Sequence, residues 1–132
     1  MTRVDYSSRK VSSKSSVMNA SKFDGFFNDV ASDLVLAGNE YGFNGSTSIS
    51  SNHYSGDRLT ADEWYSLILA LENGISEIYH DDLEEVMDSE YLSMLTYFRG
   101  LSAGDEISWA QWNNLVEYTQ NAVNHIIDHF NN

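Results

Sequence analysis

The chain has 132 residues, with twenty acidic against seven basic side chains, a net charge of −13, and neither cysteine nor proline. That length makes one domain with a modest core. The absence of cysteine excludes a disulfide framework, a thiolate nucleophile and a cysteine-based zinc site, and the absence of proline leaves long helices uninterrupted. No apolar run reaches the length that a bilayer span needs, and the first residues lack the apolar core of a signal peptide, so the expectation is a soluble chain made in the cytoplasm.

Residues 1–16 are basic and Ser-rich and hold too few apolar side chains to fold alone. They are expected to form an extended, flexible N-terminal arm that Val4, Tyr6 and Val11 allow to order against a partner. Charge separates this arm from the rest. Residues 1–22 carry Arg3, Arg9, Lys10, Lys14 and Lys22 against Asp5, a net +4, whereas the remainder holds two basic and nineteen acidic side chains, a net −17. An acidic body is a poor candidate for gripping a phosphate backbone, which needs positive charge to release counterions, so nucleic acid is not expected as a partner except through the arm.

Residues 17–132 read as a helical bundle. Phe23, Phe26, Phe27, Val30, Leu34 and Val35 keep helical spacing over 20–37, with Gly38 as the expected C-terminal cap. Residues 39–58 form a long Gly/Ser-rich loop, with Tyr41, Phe43 and Tyr54 placed to pin it, and loops of this length commonly contact partners. A second helix is expected over 61–73 and ends at Gly74. A third spans 77–99, acidic in its first half (Asp81, Asp82, Glu84, Glu85, Asp88, Glu90) and apolar in its second, with Asp88 as the place it would break and Gly100 as its end. The last, over 109–130, carries a seam of Trp112, Val116, Thr119, Val123, Ile126 and Phe130 suited to a bundle or a self-associating coil. The fold class is all-α, about four helices.

Two of these helix starts are the same stretch used twice: Gly56-Asp57-Arg58-Leu59-Thr60-Ala61-Asp62-Glu63-Trp64-Tyr65-Ser66-Leu67 and Gly104-Asp105-Glu106-Ile107-Ser108-Trp109-Ala110-Gln111-Trp112-Asn113-Asn114-Leu115. Each predicts a capping box, in which the Thr60 or Ser108 hydroxyl accepts from an orphan amide and Glu63 or Gln111 reaches back to the amide of the cap. A diverged third copy lies in Met18-Asn19-Ala20-Ser21-Lys22-Phe23-Asp24-Gly25-Phe26. Trp64, Trp109 and Trp112 are assigned to packing.

No constellation argues for chemistry. His125 and His129, one turn apart, have the spacing to share a metal, but a third ligand and the glutamate of a His-Glu-x-x-His motif are missing, so two surface histidines are expected. Glu77 and His80 give half of a di-iron carboxylate motif whose second half does not occur. No carboxylate pair, phosphate loop or nucleophile elbow stands out, and the chain is expected to be no enzyme, with no catalytic residue, cofactor, metal or small-molecule substrate.

The pattern Gly-Asp-x-Leu/Ile-Thr/Ser-x-x-x-Trp-x-x-Leu, preceded by Met18-Asn19-Ala20-x-x-Phe23 and by Gly38-Asn39-Glu40-Tyr41-Gly42, resembles a group of small virion structural proteins of tailed bacteriophages over residues 17–116. The long acidic segment and the spacing between copies depart from that group. The resemblance implies an assembly subunit of the virion, put together in the host cytoplasm, attached to the head, neck or tail and packed with other virion proteins and its own copies. A basic arm on an acidic body suits docking onto a neighbour. The residues expected to meet the partner are Arg3, Tyr6, Arg9, Lys10 and Lys14 in the arm, and Tyr41, Phe43 and Tyr54 in the loop. The rival expectation is an acidic DNA mimic that blocks the basic groove of a host nucleic-acid enzyme through the carboxylates of 81–90.

Overall fold

The computed structural model describes residues 1–11, 20–42, 60–76, 89–102 and 107–131. Among these residues all regular structure is helical: α1 spans Ala20–Tyr41, α2 Ala61–Ser76, α3 Ser89–Arg99 and α4 Trp109–Asn131, with a single 3-10 turn at Ser7–Arg9. The helices form a ring in which α1 packs on α2, α2 on α3, α3 on α4 and α4 back on α1. This is the small all-α bundle expected from the sequence. No helix among the described residues is long and apolar enough to cross a membrane.

Both capping boxes form. The Thr60 amide donates to Glu63 Oε1 at 3.3 Å and the Glu63 amide donates to Thr60 Oγ1 at 3.1 Å. The Ser108 amide likewise donates to Gln111 Oε1 at 3.4 Å, and the Gln111 amide to Ser108 Oγ at 3.1 Å. Each box satisfies two backbone donors that the first helical turn leaves open. Helix α1 starts in the register of the third copy, with Ala20 at the position of Ala61 and Trp109.

The repeats have a packing consequence. Phe23, Trp64 and Trp112 are equivalent positions of the three copies, and they meet: Phe23 lies edge-on to Trp64 at 5.2 Å and to Trp112 at 4.9 Å between ring centroids. Such aromatic pairs add about 0.5–1.5 kcal/mol each beyond simple area burial. One turn further on, the next equivalent set, Phe26, Leu67 and Leu115, is also buried. The starts of α1, α2 and α4 therefore converge on one aromatic apex. The Trp64 indole N–H, buried there, donates to the Phe98 carbonyl of α3 at 2.8 Å.

Two helix ends differ from the sequence reading, for the same reason. Helix α1 runs through Gly38, which is buried, and ends at Tyr41; Gly42, at φ 82°, is the left-handed cap and donates its amide to the Gly38 carbonyl at 2.9 Å. Helix α2 runs through Gly74 because Ile75, the next residue, is fully buried. Burying such a side chain contributes about 1.5–3 kcal/mol, which exceeds the roughly 1 kcal/mol that an interior glycine costs. Gly100 does end α3 as expected, with its amide shared between the Thr96 and Tyr97 carbonyls at 3.2 and 3.1 Å. The acidic half of the third predicted helix, 77–88, lies outside the described residues.

The seam of α4 faces inward as its spacing requires, with Trp112, Val116, Val123 and Ile126 buried and Phe130 half-buried. Its one polar member, Thr119, shares a buried hydrogen bond of 2.9 Å with the Tyr91 hydroxyl of α3. Burial holds that phenol protonated well above its ordinary range. Between α2 and α3, Arg99 Nη1 lies 3.1 Å from Glu72 Oε2, close enough for an ion pair but off the line of a hydrogen bond.

Candidate interaction site

Residues 1–11 are not a free arm in this structure. They run along the seam between α1 and α4, antiparallel to α4, and the chain's own body is what they order against. The cause is a polar stripe on α4 beside the apolar seam. Asn113, Glu117, Gln120, Asn124, Asp128 and Asn131 recur at helical spacing, so they share one face, and each of them meets the arm.

Most of these contacts read the arm's backbone. The Asn131 amide donates to the Met1 carbonyl at 2.9 Å. Asn124 clasps Val4 twice, accepting its amide at 2.7 Å and donating to its carbonyl at 2.9 Å. Gln120 accepts the Tyr6 amide at 2.7 Å. Asn113 clasps Val11 twice, accepting at 2.8 Å and donating at 2.8 Å. Between the last two, the Trp112 indole donates to the Arg9 carbonyl at 2.8 Å. The geometry closes: from Asn113 to Asn131 a helix rises about 27 Å. The ten steps from Val11 to Met1 then average about 2.7 Å each, between a 3-10 turn and an extended strand.

Side chains add an anchor and a charge pattern. Tyr6, 3% exposed, packs edge-on against Phe26 at 5.9 Å between ring centroids and donates its hydroxyl to Asp33 Oδ2 at 2.8 Å. Burial, with the Asp33 charge beside it, drives the Tyr6 phenol far above its ordinary range. Burial also raises the Asp33 carboxyl; the Tyr6 hydrogen bond opposes this and the neighbouring Asp29 charge adds to it. Asp5 is lowered by the Ser7 amide and hydroxyl, the amide lying 2.9 Å from Asp5 Oδ1, and this bond starts the 3-10 turn. Around the edge, Arg3 pairs with Asp128 at 3.0 Å, Arg9 with Asp29 at 2.8 Å, Lys10 with Glu117 at 3.9 Å, and the terminal amine with Glu40. These pairs lie at the solvent-reached edge of the seam, exposed or half-buried, so each contributes about 0–1 kcal/mol. Gly25 of α1 leaves room for the Arg9 guanidinium, which a Cβ at that position would displace.

Four of the eight residues expected to meet a partner, Arg3, Tyr6, Arg9 and Lys10, thus meet α1 and α4 of their own chain. Tyr41 closes the far end of the seam, stacked on Phe130 at 5.1 Å with its hydroxyl on Asn131. Lys14, Phe43 and Tyr54 lie outside the described residues. The expectation that the arm is disordered in the isolated chain does not hold for residues 1–11, because the amide stripe gives its backbone groups partners that the arm's composition does not reveal. Trp64 and Trp112 are core residues as assigned.

Between the arm and α1 an open cleft of about 290 Å³ is lined by Val4, Asp5, Tyr6, Asp29, Ser32 and Asp33. Its three carboxylates do not form a metal-binding set, and among the described residues no group of three or more potential ligands does. His125 and His129 are both exposed on α4. Among the described residues the seam is thus an acidic groove in which α1 and α4 hold the chain's own residues 1–11, largely by their backbone. No protein-family model, curated protein or solved structure matches the chain.

Proposed function

We propose that this chain is a non-enzymatic assembly subunit, a virion structural protein of a tailed bacteriophage, acting by protein–protein contact. The observation that carries the reading is the α4 amide stripe, which grips three backbone carbonyls and three amides of an extended segment, the Trp112 indole holding a fourth carbonyl. Extended segments are captured in assemblies chiefly through hydrogen bonds to their main chain, and on α4 side chains make those bonds. The repeated Gly-Asp-x-Leu/Ile-Thr/Ser-x-x-x-Trp-x-x-Leu pattern supports the virion setting by its resemblance to small structural proteins of tailed phages. The rival reading as an acidic DNA mimic draws on the carboxylates of 81–90, of which Glu90 alone lies within the described residues, and leaves the stripe without a purpose.

The test is the composition of particles. Particles released by cells that encode the chain are banded in a density gradient, washed in high salt and probed by mass spectrometry. The chain in fixed ratio to the major shell or tail protein is the expected result. Abundance in the lysate with none in the banded particles would overturn the reading.

A further inference from the structure

We infer that the α1/α4 groove accepts the N-terminal arm of a second copy of this chain, so that neighbouring copies link by exchanging residues 1–11. Four observations carry this. The hydrogen bonds and ion pairs that hold the arm on the body join residues twenty or more apart in sequence, from Arg9 with Asp29 to Met1 with Asn131. None of these contacts requires arm and groove to belong to one chain. The ring of helices closes through α1 and α4 without the arm, so the arm can leave without unthreading the bundle. The groove offers Asp29, Glu117 and Asp128 to the three arm cations, and another copy presents those same cations in the same order.

The fourth observation is the connection. Only the eight residues 12–19 join the arm to α1. Short connections are among the places where proteins exchange segments, and a short link gives the arm an effective concentration at its own groove on the order of millimolar. The exchanged and closed forms make the same contacts, so local copy number decides between them. In dilute solution the arm stays home. Where copies are packed to millimolar density, as in any ordered assembly, arms of neighbours compete on equal terms and each exchange links two subunits. The inference rests on the groove alone and not on the virion setting.

The chain has no cysteine, which permits a direct test with full-length protein. One population carries Arg3→Cys in the arm and a second carries Asp128→Cys in the groove, positions that form an exposed pair. The two are mixed from micromolar to millimolar concentration, treated briefly with a short bismaleimide and run on a denaturing gel. The expected result is a cross-linked dimer that rises with concentration, half-maximal on the order of millimolar. Its yield should be several-fold above that of Arg3→Cys mixed with Tyr65→Cys, a site exposed on α2. A double variant, Arg3→Cys with Asp128→Cys, should close within one chain at micromolar concentration. Internal closure without dimer above the Tyr65→Cys background would overturn exchange. Failure of the double variant to close would overturn the groove itself. Neither result depends on particle composition, so failure here is distinguishable from failure of the virion reading.

Discussion

Asn124 is the residue on which the seating of the arm can be measured most directly. It is 3% exposed and holds Val4 from both sides, accepting its amide at 2.7 Å and donating to its carbonyl at 2.9 Å. The orientation of its amide is forced, since the Val4 N–H can only donate and its C=O can only accept. Asn124→Ala removes both bonds. At about 0.5–1.5 kcal/mol net for each, the loss is about 1–3 kcal/mol, with the lower part favoured because the vacated space lets water reach the half-buried backbone of Val4. Urea unfolding followed by tryptophan fluorescence should show a lower midpoint at unchanged slope. Amide exchange gives the sharper readout. The Val4 and Tyr6 amides should exchange roughly ten- to a hundredfold faster in the variant, as each 1.4 kcal/mol of local opening is tenfold, while core amides such as those of Val30 and Leu71 slow or quicken only with global stability. Asn124→Asp should cost more than Asn124→Ala, because a carboxylate accepts the Val4 amide but repels its carbonyl and adds a buried charge to an acidic chain. A stability change under about 0.5 kcal/mol, together with Val4 and Tyr6 amides unprotected in the parent protein, would refute the clasp.

Three further outcomes follow from the geometry. Tyr6→Ala removes a buried aromatic and its bond to Asp33 and should cost about 3–5 kcal/mol in urea unfolding, whereas Tyr6→Phe should cost about 1 kcal/mol; equal losses would mean that the ring is not seated. Asp33→Asn keeps an acceptor for the Tyr6 hydroxyl and removes a desolvated charge. Because the Asp33 carboxyl is raised above 3.8 in the fold, the folded state binds its proton more tightly, and the associated stability is present in full below the unfolded value and lost as pH rises through the folded one. The variant should therefore be more stable than the parent at pH 7, with the advantage shrinking as pH falls toward 4, and an advantage that grows on acidification would contradict the assignment. Thr60→Ala and Ser108→Ala should each lose on the order of 1 kcal/mol, read as a drop in thermal midpoint, and neither should alter exchange at Val4.

The helix starts were legible because a capping box is local. Thr60, Glu63, Ser108 and Gln111 interact within one turn, and the spacing that announces the box is the spacing that forms it. The convergence of Phe23, Trp64 and Trp112 follows from the repeat, since equivalent positions of equivalent helices face the same core. The glycine stops at Gly38 and Gly74 misled because the local penalty of a glycine is smaller than the burial of Ile75 or the stacking of Tyr41 beyond it, and tertiary contacts do not show in a local pattern. The groove stayed hidden for a different reason. Asn113, Gln120, Asn124 and Asn131 at helical spacing look the same as a solvated face, and a site that reads backbone leaves no complementary motif in the segment it binds. The one available signal was the amide bias of that stripe: four of its six members are Asn or Gln, while Glu117 and Asp128 alone carry charge, on the face next to the apolar seam.

The arm and the aromatic apex are not separate devices, because Trp112 belongs to both. Its ring packs edge-on against Phe23 and Phe26 at 4.9 and 5.2 Å, and its indole N–H donates to the Arg9 carbonyl at 2.8 Å. Phe26 in turn carries Tyr6. Residues Phe23, Phe26, Trp112 and Tyr6 thus form one contiguous path from the convergence of the repeats to the seat of the arm. Trp112→Phe tests that coupling. The smaller ring leaves a void at the apex and the Arg9 carbonyl without its donor, so the loss should exceed that of Thr60→Ala and Ser108→Ala and fall at about 2–4 kcal/mol. Combined with Asn124→Ala the two losses should fail to add, since each variant already loosens what the other holds. Strict additivity, measured by urea unfolding of the single and double variants, would show the arm to be energetically separate from the apex, and the packing path between them to be inert.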